Sequence, residues 1–189
     1  MTKSELRSCF RKQRQDFVSK QDNSEIQQAR RDLEERLSTS GFLAGTIGGY
    51  AAMTSEFDPS NLLRTCRENG HDIALPWFVS RDASMKFRQW DGTALERGPF
   101  GILQPESANP VLQPDTLLVP LVAVDRRGNR LGQGQGHYDR ILAQFRADRP
   151  ITAIGLAWEC QIARDIPADP WDQPLDYIAT PDRLIKVTS

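Results

Sequence analysis

Residues 130 to 140 read Arg130-Leu131-Gly132-Gln133-Gly134-Gln135-Gly136-His137-Tyr138-Asp139-Arg140. Three glycines alternate with other residues, a basic residue precedes them, and a helix-like apolar pattern follows. Glycine lacks Cβ, so it adopts φ > 0 cheaply and lets another group approach the backbone closely. A glycine-rich loop that enters a helix N-terminus turns several N–H groups toward one point, where an anion can sit. Phosphate binding is the chemistry this spacing allows. A tight turn with no ligand is the alternative that spacing alone leaves open. The loop has neither the GxxxxGK[ST] pattern of a P-loop nor a clean GxGxxG. Asp139, by itself, is an acid in the first turn of a helix, where it complements the dipole.

Other residues take meaning from their neighbours. Lys3 and Arg7 lie one turn apart, so on a helix they project from one face. The first twenty residues carry six Lys/Arg against two acids, which alone describes a solvated helix face. Glu56 alone is a surface acid. Trp77, Trp90 and Trp158 read as core or pocket wall.

Positioning these groups falls to the elements around them. Residues 116–125 are apolar and read as one buried strand, followed by a turn at 127–129, the glycine loop and a helix. Leu6, Phe10 and Phe17 mark one side of an amphipathic first helix. In a second helix Ser24 and Gln27 read as a capping box, and Ile26, Ala29, Leu33 and Leu37 keep helical spacing until Gly41. Residues 46–52 read as a strand in which Gly48 and Gly49 permit close packing. Asp58-Pro59 reads as an N-cap with proline at the first helical position, Leu62, Leu63 and Cys66 as the inner face, and Gly70 as the stop. Further strands are expected at 72–76, 85–88, 151–157 and 177–180, with an ordered Gly/Pro-rich loop at 91–115. Strands alternating with helices predict a single α/β domain over residues 1–189, its sheet covered on both faces. In such sheets ligands sit at the carboxyl ends of the strands.

The 189 residues, 39% hydrophobic and 26% charged, suit a soluble globular chain. A net charge of −1 gives no bulk case for nucleic acid or membrane as a partner. The longest apolar run, 117–124, is far short of a membrane span, and the N-terminus has no apolar signal core; a cytoplasmic location is expected. Cys9, Cys66 and Cys160 are odd in number and widely separated, so they read as reduced. With only His71 and His137, a His-rich metal site is excluded, and any metal is a hard cation on carboxylate and phosphate. No long exposed apolar repeat calls for assembly, so a monomer is expected.

Residues 120–142 resemble the signature of the 5-formyltetrahydrofolate cyclo-ligase (5,10-methenyltetrahydrofolate synthetase) family, close to PGxxFDxxGxRLGxGxGYYDRxL. Leu121, Val124 and His137 replace Gly, Phe and the first Tyr, and Gln135 stands where the family often has Lys. The resemblance implies a three-layer α/β sandwich with a mostly parallel central sheet, related to the sugar-phosphate isomerase and CoA-transferase group. It implies ATP- and Mg2+-dependent cyclisation of 5-formyltetrahydrofolate to 5,10-methenyltetrahydrofolate, with release of ADP and phosphate. Carried over, it puts ATP on Lys3, Arg7, Arg130, Leu131, Gly132, Gln133, Gly134, Gln135, Gly136, His137 and Tyr138, with Arg130 and Tyr138 at the reacting groups. It puts the folate on Ala51, Glu56 and residues 133–137, with Glu56 on the pteridine.

Residues 166–180 resemble the family's vPxxxxDxxlDxivT, and the resemblance places Mg2+ on Asp139 and on the later aspartate, Asp176. Asp172 then orients the segment. Residues 100–105 resemble an fGIxEP loop, with Gln104 for Glu. Gln135 removes a cation beside the transferring phosphate, and a protonated His137 would supply part of it. Those two changes motivate a rival, a nucleotide- or folate-binding module that keeps the fold without catalysis. Binding of ATP and folate without product distinguishes it. An RNA-binding role for the basic first helix is disfavoured by the balanced charge and the lack of an RNA motif.

Overall fold

Two amphipathic helices, α1 (Lys3–Val18) and α2 (Asn23–Ser38), lead into β1 (Ile47–Gly48), α3 (Ser60–Glu68), β2 (Ile73–Trp77) and β3 (Lys86–Gln89). There follow β4 (Glu96–Arg97), β5 (Leu103–Gln104), β6 (Thr116–Pro120), β7 (Ala123–Asp125), β8 (Arg130–Leu131) and α4 (His137–Asp148). The chain ends with β9 (Thr152–Leu156), β10 (Ile162–Ala163), β11 (Tyr177–Ala179) and β12 (Leu184–Lys186). The structure, a computed structural model, describes residues 1–80 and 83–188; the Phe100 side chain, part of the fGIxEP-like loop, also lies outside what is described.

The main sheet runs β12-β11-β9-β6-β1-β2-β3. Its inner pairings are parallel, and β3 and β12 close the edges antiparallel. Successive residues of β6 serve opposite faces, as the period of a strand requires. Leu118 packs with Leu33, Leu37, Leu62 and Leu63 of α2 and α3. Leu117 and Val119 pack with Ile141, Leu142 and Phe145 of α4. Burial on both faces is why β6 and β9 read as unbroken apolar runs. The result is helix, sheet, helix, the three-layer arrangement expected.

Several elements depart from the sequence expectation. Residues 116–125 are two strands, not one. After Pro120 the Leu121 carbonyl accepts from Arg14 Nη1 at 3.1 Å and from Gln161 Nε2 at 2.8 Å. The chain then turns into a second, small sheet of order β10-β7-β8. The glycine loop therefore hangs from the β7–β8 hairpin. Asp125, fully buried, fixes that hairpin. Its Oδ1 accepts from the N–H groups of Arg127 and Asn129, and its Oδ2 from Asn129 Nδ2 and the Ile166 N–H.

The cap of α2 is Asp22, not Ser24: its Oδ1 accepts from the Ser24 and Glu25 N–H groups, and Glu25 closes the box on the Asp22 N–H. A carboxylate two residues earlier satisfies the same free donors. Pro59 itself occupies the cap of α3, and Asp58 Oδ1 accepts from Ser60 N–H just inside it. The strand expected at 46–52 shrinks to Ile47–Gly48, which alone pair with both β2 and β6. Residues 91–115 contain a hairpin, β4–β5, around the turn Pro99–Gly101.

Among the described residues no helix is long and apolar enough to cross a membrane. All three cysteines are free, with Cys9 exposed. Burial pushes the Cys66 and Cys160 thiols up to about 11. Iodoacetamide at pH 8 is therefore expected to modify Cys9 in the folded protein, and Cys66 and Cys160 only on unfolding. Peptide mass spectrometry reads this directly; equal labelling of all three in the native state would contradict the packing.

Candidate active site

The glycine loop stands between two cavities. One, of about 330 Å3, lies at the carboxyl ends of the parallel strands. Tyr50 and Ala51 come from beyond β1, Phe78 from beyond β2, and Pro120 and Leu121 from the end of β6, with Glu56, Gln133 and Tyr138 on the rim. Its lining is mainly apolar, and its size suits a small organic ligand. The other, of about 500 Å3, is bounded by Lys3 and Arg7 of α1, Gly134, Arg140 of α4, and Asp169, Trp171 and Asp172. Arg130, Gly132, Gln135, Gly136 and Asp139 line both. A group bound in one cavity thus meets a group bound in the other across the loop.

Local geometry explains the loop's composition. Gly134 (φ +100°) and Gly136 (φ +65°) take left-handed conformations, and Gly136 caps α4. Gly132 has an ordinary φ, and a Cβ there would meet nothing within 4 Å. The fold does not require glycine at 132; the open space faces both cavities. Gly132→Ala is expected to leave the unfolding midpoint unchanged or slightly higher while raising KM for the ligands of both cavities. Unaltered kinetics would remove Gly132 from the site.

The cations come from outside the loop. Arg7 Nε donates to the Gly132 carbonyl at 3.0 Å, and a Cβ at Gly134 would lie 3.7 Å from Arg7 Cζ. Lys3 Nζ reaches Asp169 at 2.6 Å and Asp172 at 2.5 Å. Burial alone would lower this ammonium, but the two carboxylates outweigh it and hold it above its ordinary value. Arg140 sits over the start of its own helix, with Nη2 3.0 Å from His137 Nδ1.

Asp139 and Asp176 are not brought together. Asp139 Oδ1 accepts from Arg130 Nη2 at 2.7 Å and from the Gln173 N–H at 3.0 Å. Among the described residues both of its hydrogen bonds fall on Oδ1, which leaves Oδ2 for a ligand. Asp176 precedes β11, at the amino end of the sheet, and lines neither cavity. Its Oδ2 accepts from the Ala153 N–H at 2.7 Å and from Arg146 Nη2 at 3.1 Å. Arg146 is two turns past Asp139 on α4, about 10 Å along the axis. The acids that do share Asp139's cavity are Asp169 and Asp172. Asp172 Oδ2 also accepts from the Asp169 N–H. Burial alone would raise the Asp172 carboxyl, but the Asp169 N–H and Lys3 hold it below its ordinary value.

Arg130 is nearly buried, with its guanidinium on Asp139 and the Gln173 carbonyl. Glu56 Oε2 accepts from the Met53 N–H and its Oε1 from Gln133 Nε2, each at 3.0 Å. Gln133 is held in turn by Arg11, whose Nη2 donates to Gln133 Oε1 at 2.7 Å. Each carboxylate oxygen of Glu56 keeps a further lone pair for a ligand. Tyr138 is pushed well above the usual phenol range by burial and by Glu56, so it is a neutral donor.

The 5-formyltetrahydrofolate cyclo-ligase family model matches residues 1–181. The chain belongs to this family. It is 39% identical over 148 residues to the 5-formyltetrahydrofolate cyclo-ligase of Escherichia coli K12, a match covering 75% of this chain and 81% of that one. It is 30% identical over 138 residues to the enzyme of that name from Haemophilus influenzae, covering 70% and 73%. The NMR structure of Aquifex aeolicus 5,10-methenyltetrahydrofolate synthetase matches with a TM-score of 0.82 at 24% identity, covering 100% of this chain and 94% of that one. A 5,10-methenyltetrahydrofolate synthetase from Mycoplasma pneumoniae matches at 0.74 and 24%, covering 96% and 99%. These two structures establish the shared α/β fold.

The family signature carries two neutral residues here. Gln135 lies in the wall common to both cavities. His137 does not make up the missing charge: burial first, and Arg140 second, hold it below its ordinary value, so the imidazole is neutral near pH 7. The cations that line the second cavity are Lys3, Arg7, Arg130 and Arg140. Sequence reading missed Arg140, although its place one turn after Gly136 puts it at the head of α4.

Proposed function

We propose that this cyclo-ligase family member couples phosphoryl transfer from ATP to ring closure, converting 5-formyltetrahydrofolate to 5,10-methenyltetrahydrofolate with ADP and phosphate as products. The observation that carries this reading is the loop wall shared by an apolar cavity and a cationic one. The folate occupies the first, its pteridine edge on Glu56, which Gln133 and Arg11 hold in place. The triphosphate occupies the second, against Lys3, Arg7, Arg140 and the loop N–H groups.

The formyl oxygen on N5 attacks the γ-phosphorus, and the bond from that phosphorus to the bridging oxygen breaks to release ADP. N10 then attacks the formyl carbon, the carbon–oxygen bond to the phosphate breaks, N10 gives up its proton, and inorganic phosphate leaves. Catalysis here is alignment and charge neutralisation, so no protein nucleophile is needed. Tyr138 and Phe78 help to exclude water from the first cavity.

Among the described residues no three His, Cys, Asp or Glu side chains form a metal cluster by themselves. One or two carboxylates with phosphate oxygens and water suit Mg2+, and Asp139 with Asp172, which shares its cavity with Asp169, are the carboxylates we assign to it. Bound there, the ion would neutralise charge on the triphosphate.

The test is to mix the protein with 5-formyltetrahydrofolate, ATP and Mg2+ and follow the near-ultraviolet absorbance of the methenyl product. A signal that requires ATP supports the reading. Calorimetric binding of both ligands without product would select the non-catalytic module, the rival that Gln135 and His137 motivate.

A further inference from the structure

Trp171 is 70% exposed, whereas Trp158 and Trp90 are buried at 3% and 9%. Trp77 lies beneath the Arg88 guanidinium, 4.3 Å from its ring. A bare indole leaves a large apolar face in water, a cost recovered when a flat apolar group covers it. This exposed indole lines the cationic cavity, as do residues of α1 and α4. Ala143 of α4, an exposed small residue one turn beyond Asp139, lines the same cavity.

The segment that presents Trp171 is braced on both sides. The Asp172 N–H donates to the Asp169 carbonyl at 3.0 Å, and the Asp169 N–H returns a bond to Asp172 Oδ2 at 2.8 Å. Lys3 ties both carboxylates to α1. The backbone that carries the indole is thus fixed in the wall of the cavity that Lys3, Arg7 and Arg140 also line. A phosphate chain on those cations brings the rest of a nucleotide to the indole.

We propose that Trp171 is the platform on which the nucleobase of the triphosphate stacks. This rests on the nucleotide reading of the cavity and deepens it: the cations hold the phosphates, and the indole holds the base. Stacking on one face accepts any base, because every base offers a π-face. The subsite therefore favours nucleoside triphosphates over inorganic triphosphate and discriminates weakly among bases.

The test uses the full chain and two ligands, ADP and inorganic triphosphate. ADP is expected to quench the exposed component of tryptophan emission, and inorganic triphosphate is not. Trp171→Leu should abolish the ADP quench. It should also raise KM for ATP roughly tenfold, the scale of one base–aromatic stack, with kcat and KM for the folate within about twofold. Trp171→Phe should recover most of the loss, which a merely structural role would not predict. A wild-type KM for ATP in Trp171→Leu would overturn the proposal, as would equal quenching by both ligands. If the wild type makes no methenyl product yet ADP quenches and Trp171→Leu removes the quench, the reaction reading fails and the base platform stands.

Discussion

Asp139→Asn is expected to lower kcat for methenyl formation by roughly 10²- to 10³-fold, the scale of losing one preorganised charge partner in phosphoryl transfer. Asp172→Asn should fall in the same range, and Asp176→Asn should stay within a few-fold of wild type. Asp139 lines both cavities and its two hydrogen bonds among the described residues fall on Oδ1, and Asp172 lies in the second cavity against Lys3. Asp176 is committed to Arg146 and the Ala153 N–H at the other end of the sheet. An Asn at 139 or 172 keeps shape and hydrogen bonding but removes the charge that a cation needs. A raised Mg2+ requirement in those two variants, read from initial rates against Mg2+ concentration, would separate metal loss from misfolding. A deep, Mg2+-reversible loss in Asp176→Asn would return the metal to that residue and sink the assignment to Asp172.

The choice between Asp172 and Asp176 shows where the sequence stops. Both aspartates are visible in one motif, four residues apart, and nothing in their spacing says which faces the loop. That depends on where β11 starts relative to β9, a register that long-range pairing decides. The same limit applies to residues 116–125. Their apolar run is legible, but the break after Pro120 follows from Arg14 and Gln161, far away in sequence, drawing the Leu121 carbonyl aside. By contrast α1, α3, β2, β9 and the glycine loop are legible in the sequence, because helical period, buried strand composition and glycine spacing are local signals. The charge state of His137 is hidden in the sequence for a related reason: burial and Arg140 hold it below its ordinary value, and burial is set by the whole fold.

Asp125→Asn is expected to destabilise the protein by about 3 kcal/mol, the scale of leaving buried donors unsatisfied. The Asp125 carboxylate is fully buried and accepts five hydrogen bonds, two on Oδ1 and three on Oδ2, the longest of them from Arg127 Nη2. An amide offers one acceptor oxygen, so its NH2 must face two donors that have no other partner. The nearby Arg127 guanidinium compensates little, being 64% exposed and 3.5 Å away. For a chain of this size the loss corresponds to a fall of roughly 6–12 °C in the unfolding midpoint. Asp165→Asn is the control: it removes an exposed partner of the same arginine, and exposed pairs contribute little. Urea unfolding followed by tryptophan emission compares the three proteins. Equal stability of Asp125→Asn and wild type would mean that the hairpin does not depend on this carboxylate. The loss should also reach function below the midpoint, since the β7–β8 hairpin carries Arg130 and so sets where Asp139 and the glycine loop stand. A variant that still folds at the assay temperature is therefore expected to turn over more slowly, with its pH profile unchanged.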